Sequence, residues 1–211
     1  MSIHERFSNY KHHPWHGVSP GEDLPNIVTA FIEIIPGDTI KYEVDKESGY
    51  LKIDRPQLFS NTSPALYGFI PQTYCGDSIA EYCAQESGKI ILKGDGDPLD
   101  ICVLCERPVT HADILLRAIP IGGLRMIDKG EADDKIIAVL LNDPAYSQYD
   151  DISKLPKPLV DRLRHYFLTY KVIPGETNQP VEIDKVYNRE AAHEVIRRSL
   201  LDYQTLINNK K

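Results

Sequence analysis

The sequence predicts an α+β fold, a mainly antiparallel closed β-barrel with helices packed outside and a helix ending the chain. Three observations lead there. Between Val28 and Arg55, short apolar or alternating runs are separated by Pro36-Gly37-Asp38 and Glu47-Ser48-Gly49, the turn signals of an antiparallel meander. Further strand-type runs occupy residues 101–104, 114–126 and 135–141. Helical spacing is confined to the last third. With 211 residues, 42% of them hydrophobic, one sizeable core can form, so residues 1–211 are expected to be a single domain.

The chain opens with an irregular arm, residues 1–26, in which Pro14, Gly17, Pro20, Gly21 and Pro25 break any period. His12, His13 and His16 crowd around Pro14 and Trp15 and read as part of a mobile or docked arm rather than a metal site. The run from Val28 to Ile35 is a mostly buried strand carrying one acid, Glu33. In the next strand Ile40, Tyr42 and Val44 take one face, and Lys41 and Glu43 the other. A third strand, residues 50–55, ends on Asp54-Arg55. Residues 56–76 are less regular, and 77–93 read as an inserted loop serving as a lid or subunit contact.

Then comes Gly94-Asp95-Gly96-Asp97-Pro98-Leu99-Asp100. Three carboxylates within six residues repel one another, so a fold that crowds them supplies a cation. The glycines permit a tight turn and close approach to a ligand, and Pro98 stops a helix from starting inside the stretch. The apolar run 101–104 anchors Asp100 on a rigid edge. A calcium loop of the EF-hand kind fails, because its glycine position, counted from Asp95, holds Asp100. A phosphatase with an aspartyl nucleophile would take Ile90-Ile91-Leu92 as its first strand, but the later elements do not suit a parallel α/β fold.

A second acid-rich loop, Asp128 through Lys135, adjoins the later strands, and Gly122-Gly123 mark a bulge or sharp bend. Cys102 and Cys105 form a Cys-x-x-Cys, yet three residues apart on a strand they face opposite sides. With Cys75 and Cys83 they read as ordinary buried thiols. Leu155-Pro156-Lys157-Pro158 opens a helix with Leu159, Leu163, Tyr166, Phe167 and Tyr170 at helical spacing, ended by Pro174-Gly175. Val181-Glu182-Ile183 is a short strand, and residues 189–207 form an amphipathic helix facing the core with Ala192, Val195, Ile196, Leu200, Tyr203 and Leu206.

A net charge of −7 argues against a general nucleic-acid binder. No apolar run is long enough to span a bilayer, and the start Met1-Ser2-Ile3-His4-Glu5-Arg6 is unlike a signal peptide. Four cysteines suit a reducing compartment. No membrane contact is expected, and the default location is the cytoplasm.

Gly94 through Asp100, Ile40-Lys41-Tyr42-Glu43, Asp54-Arg55, Tyr67-Gly68, Asp128 through Lys135 and Tyr170-Lys171 occur in one order. In these motifs, over residues 27–172, the sequence closely resembles the family I soluble inorganic pyrophosphatases, the metal-dependent barrel type. That resemblance implies an OB-like barrel and an inorganic diphosphatase using several Mg2+ ions per site, with Mn2+ or Zn2+ as substitutes. It also implies a homo-oligomer, dimer or hexamer. Asp95, Asp100 and Asp133 would hold the central ions, with Asp100 shared between two. Asp128 would join Asp133 on an ion arriving with substrate, and Glu33 would act through metal-bound water. Asp97 would take the proton of a nucleophilic water between two metals, which attacks pyrophosphate in line. Lys41, Arg55 and Lys171 would hold the phosphates with Tyr67 and Tyr170, while Lys135 and Glu43 would complete the polar cavity.

The chemistry accounts for that mixture of residue types. Pyrophosphate is a compact polyanion that an acidic cluster alone would repel. Hard oxygen ligands suit magnesium, two metals can activate a water and clamp the electrophile, and lysine and arginine stabilise the departing phosphate. Taken singly, each residue has a plainer reading: Lys41, Glu43 and Arg55 as a charged strand face, the tyrosines as half-buried aromatics, the acids as solvated turns. Their joint order favours the enzyme. Two positions depart from the family pattern: Ser63 stands where a tyrosine is common, and Lys129 where an acid is common. A catalytically silent metal- or anion-binding module would have no use for Asp97. A nucleotide phosphohydrolase would need a groove for base or sugar, and no stretch supplies one.

Overall fold

The computed structural model describes residues 11–91, 93–173 and 181–209. The expected stop at Pro174-Gly175, the start at Met1 and the end of the Ile90-Ile91-Leu92 run lie outside them. Four strands come first: β1 (Val28–Ile34), β2 (Ile40–Val44), β3 (Leu51–Pro56) and β4 (Leu66–Phe69). Helix α1 (Asp77–Ser87) precedes β5 (Asp100–Leu104), β6 (Ile114–Asp128), β7 (Glu131–Ala132) and β8 (Lys135–Leu140). After a 3-10 turn at Ile152–Lys154 come α2 (Lys157–Thr169), β9 (Val181–Asn188) and α3 (Arg189–Asn209). The result is a mixed α+β fold, as the spacing predicts.

One large sheet organises the molecule. β1 pairs antiparallel with β4 on one edge and with β6 on the other. From β4 the pairing passes to β5, then to β8, then to β6, so the path returns to β1. The β5–β8 pair is parallel and sets Asp100 opposite Lys135, a non-local pairing in an otherwise antiparallel arrangement. β9 extends the sheet along β6, which makes it eight residues long rather than the expected three. β2 and β3 form a separate hairpin in which Lys41 faces Arg55. β1 is buried on both faces apart from Thr29, which is why it reads as a nearly continuous apolar run. The expected irregularity at Gly122-Gly123 is present as a register shift in the β6–β8 pairing. Side chains at these glycines would strike Ile152 at 2.5 Å and the ring of Tyr187 at 2.4 Å.

Residues 77–93 are not simply an inserted loop: residues 77–87 form α1. Its first amides are capped from far away in the chain. The carboxylate of Asp202, on α3, accepts from the amides of Gly76, Ser78 and Ile79 at 3.0–3.1 Å. The helix ends at Gly88, whose φ of 69° gives a left-handed cap. Ile79, Ala80 and Cys83 are its buried residues.

The core forms three clusters. One lies under α1 and α3 and includes Ile32, Ile79, Ile101, Val195 and Ile196. A second joins the other side of the sheet to α2 through Leu163, Tyr166 and Phe167. Full burial of such a side chain contributes about 1.5–3 kcal/mol. The third, Trp15, Phe31, Val44 and Phe69, lies beneath the β2–β3 hairpin. It docks the arm, where the Trp15 indole donates to the Thr73 carbonyl at 2.8 Å and His16 Nδ1 lies 2.8 Å from the Tyr203 hydroxyl. All four cysteines are free, with Cys75, Cys83 and Cys102 buried. Among the described residues, no helix is long and apolar enough to cross a membrane.

Candidate active site

Backbone hydrogen bonds fix the acidic turn first. Asp95 N donates to the Ala132 carbonyl at 3.2 Å, and Ala132 N donates to that of Lys93 at 3.1 Å. Asp95 is thereby tied to the segment that carries Asp133. On its other side the turn is held by Cys75, whose amide donates to Asp97 O at 2.8 Å while its carbonyl accepts from Gly96 N at 3.1 Å. The chains approach so closely that a Cβ on Gly94 would lie 2.1 Å from the Cys75 oxygen. Gly96, at φ +77°, turns the backbone where other residues would be strained. Asp95 Oδ1 accepts from Asp97 N at 3.0 Å, closing a local turn. Leu99 N donates to the Thr73 hydroxyl at 2.9 Å, and the chain enters β5 at Asp100.

Carboxylate oxygens of Asp95, Asp100 and Asp133 converge to within 4.8 Å of one another. Lys135, placed beside Asp100 by the parallel β5–β8 register, forms ion pairs with Asp100 and Asp133. Burial pushes the Asp95 carboxyl up to about 9, and the charge of Asp133 adds to the rise. For Lys135, burial opposes the charge, but Asp100 and Asp133 outweigh it and raise the ammonium well above its usual value. An all-oxygen donor set of mutually repelling carboxylates fits a hard divalent cation. Asp128 supports the same fit: its Oδ1 is buried with no hydrogen-bond partner among the described residues.

Around this centre lies a cavity of about 520 Å³, lined by every residue given a catalytic, phosphate-holding or metal-holding role from the sequence. Glu33 comes from β1, Lys41 and Glu43 from β2, Arg55 from β3, Tyr67 from β4, Asp128 from the end of β6, and Tyr170 and Lys171 from the end of α2. Glu33 is buried, which raises its carboxyl to about 8 against the opposing hydrogen bond from Val44 N at 2.6 Å. Burial likewise holds the Tyr67 hydroxyl protonated, well above the ordinary phenol range. Lys41 pairs with Asp54 at 2.6 Å and Glu43 at 3.2 Å, and Lys171 pairs with Asp128 at 2.5 Å. The cavity thus sets an acidic floor against a rim of cations.

The same cavity is lined by residues given no role from the sequence: Trp15, Lys46, Asp54 and Glu131. Lys46 forms an ion pair with Asp97. Asp54 carries a signal, since it adjoins Arg55, which faces Lys41 across the hairpin. Lys46 carries none, being one charged residue in a turn. Ser63 is buried away from the cavity and donates to the Ala65 carbonyl at 2.7 Å. Lys129 is exposed at a φ of 52° in the β6–β7 turn. Helix α1 contributes nothing to the cavity wall.

Comparison with known proteins agrees with this geometry. Residues 30–204 match the family model described as inorganic pyrophosphatase. The inorganic pyrophosphatase of Chlamydia muridarum is 51% identical over 198 residues, covering 92% of this chain and 95% of that protein. The crystal structure of the Thermus thermophilus inorganic pyrophosphatase superposes with a TM-score of 0.76 at 28% identity, over 92% of this chain and 99% of that one. The Helicobacter pylori inorganic pyrophosphatase follows at 0.70 and 33%, over 87% and 99%.

Proposed function

The chain belongs to the inorganic pyrophosphatase family, hydrolases acting on diphosphate bonds, and from that premise we propose that it hydrolyses pyrophosphate to two phosphates in the cavity around Asp95, Asp100 and Asp133. One observation carries the reading: three convergent carboxylates share a cavity with Lys41, Arg55 and Lys171. Neither half suffices for a compact polyanion, because the acids alone repel it and the bases alone lack a means of activating water.

Asp95, Asp100 and Asp133 would hold Mg2+, with Asp128 and Glu33 completing the acidic floor. When bound, the ions lower the pKa of a water and neutralise phosphate oxygens. The remaining work falls to the chain. Asp97 accepts the proton of the attacking water as the new P–O bond forms and the bridging P–O bond breaks, leaving two phosphates. Lys41 and Arg55, neighbours across the β2–β3 hairpin, take one phosphate group, and Lys171 takes the other. Each lysine exchanges a carboxylate partner, Asp54 or Asp128, for substrate oxygen. Tyr67, held protonated by burial, donates a hydrogen bond, as does Tyr170, while Glu43 and Lys135 hold the charge balance of the walls. The closed path of strand pairings supports reading the sheet as an OB-like barrel, and its continuity with all the core clusters supports one domain.

The test is phosphate release from pyrophosphate with magnesium, with and without excess chelator, and with nucleoside triphosphates assayed alongside. Release that chelator abolishes, at a rate well above that on triphosphates, is the expected result. No release with magnesium, manganese or zinc overturns the reading.

A further inference from the structure

Behind the acidic centre, on the side of the sheet away from the cavity, lies a second ionic group. Arg125 on β6 is fully buried, yet its three side-chain nitrogens have no hydrogen-bond partner among the described residues. Both oxygens of Asp134, which is 1% exposed, are likewise unpartnered. The nearest approach between them is 3.7 Å, from Arg125 Nε to Asp134 Oδ1. The guanidinium carbon lies over two aromatic rings, 4.7 Å from the centroid of Tyr82 on α1 and 5.2 Å from that of Tyr187 on β9. Glu86 on α1 stands 3.6 Å from its far end.

The placement of this pair explains its consequence. Asp134 lies between Asp133 and Lys135, so side-chain alternation that turns those two into the cavity turns Asp134 away from it. Arg125 sits between Leu124, which faces Lys135 in the β6–β8 ladder, and Met126, whose carbonyl accepts from Asp133 N at 3.0 Å. The two backbones are therefore joined on either side of the Arg125–Asp134 contact. A buried charge pair with incomplete hydrogen bonding is a poor source of stability, which leaves geometry as its contribution.

We propose that Arg125 and Asp134 are positioning residues that fix the orientation of Asp133 and Lys135 toward Asp95 and Asp100, and so set the affinity of the acidic centre for divalent cation. The inference rests on the metal-dependent reading given above. Supports behind metal ligands typically change metal affinity by about 10–100-fold when removed, and a buried contact at ionic distance, with two aromatic rings against its guanidinium, is suited to that part.

Two variants test it by calorimetric titration of the chelator-treated protein with MgCl2, without substrate. Asp134→Asn removes the charge and keeps the shape. The double variant Arg125→Met with Asp134→Leu replaces the pair by apolar groups of similar size, which buried ion pairs often tolerate. The expected result is Mg2+ binding weakened by about tenfold or more in both, with the double variant melting near the parent temperature. Wild-type affinity in either folded variant overturns the proposal. Failure of both to fold assigns the pair to stability and overturns it equally. If the parent binds no Mg2+, the metal-dependent reading falls and takes this inference with it, whereas a parent that binds normally beside unchanged variants sinks the inference alone.

Discussion

Lys46 reaches from the β2–β3 turn to the carboxylate of Asp97, with its ammonium 5.9 Å from the centroid of the Trp15 ring. Lysine and aspartate side chains are 56% and 50% exposed. A pair so open to water is worth at most about 1 kcal/mol, so it can restrain the Asp97 side chain and still yield it to a water nucleophile. Asp97→Asn should therefore lower kcat by about 10²–10⁴-fold, while calorimetric Mg2+ affinity stays close to that of the parent. Lys46→Ala should cost less than about tenfold in kcat/KM. Loss of metal binding in Asp97→Asn would make Asp97 a ligand instead of a base.

Lys135 is the buried cation that meets Asp100 and Asp133. Replacing it by methionine leaves those carboxylates facing each other without compensation. Breaking a buried pair in this way costs about 3–5 kcal/mol, and the loss should be largest in chelator, where no other cation stands in. Thermal melts of Lys135→Met in chelator and in magnesium would show this as a Tm deficit that magnesium narrows. An equal deficit in both would mean that the lysine acts through packing alone.

Acid–base behaviour of the metal-free protein follows from Glu33 and Asp95, raised to about 8 and about 9 mainly by burial. Unfolding returns each to the ordinary carboxylate range. From about pH 4.5 to 9 the folded chain thus binds more protons than the unfolded one, and stability falls as pH rises, by up to about 1.4 kcal/mol per pH unit for each group. The Tm in chelator should decline from pH 5 to 9, and saturating magnesium should flatten the decline because cation replaces proton at Asp95. A metal-free Tm that rises over that interval would contradict this account.

Much of the cavity was legible because its residues lie in short, locally determined motifs. The turn from Gly94 to Asp100 shows its tight backbone in its glycines, β1 shows a nearly continuous apolar run, and β2 shows period-two alternation. Helix α1 was not legible, since its N-terminal cap is Asp202 and only Gly88 marks an end locally. The parallel β5–β8 pairing left no mark either, being a contact between segments 35 residues apart, as Asp100 is from Lys135. Lys46 escaped for the same reason: what gives it a role is the docked Trp15, contributed by an arm with no regular period.

The reach of Asp202 also shapes how the molecule breathes. A helix of eleven residues is too short to persist in water alone, and α1 lacks a side-chain cap of its own. The Asp202 cap on its first turn is kept only while α3 remains seated against it. The two helices therefore open as one cooperative unit, and amide protons at Ser78 and Ile79 are shielded from exchange by a carboxylate more than a hundred residues along the chain.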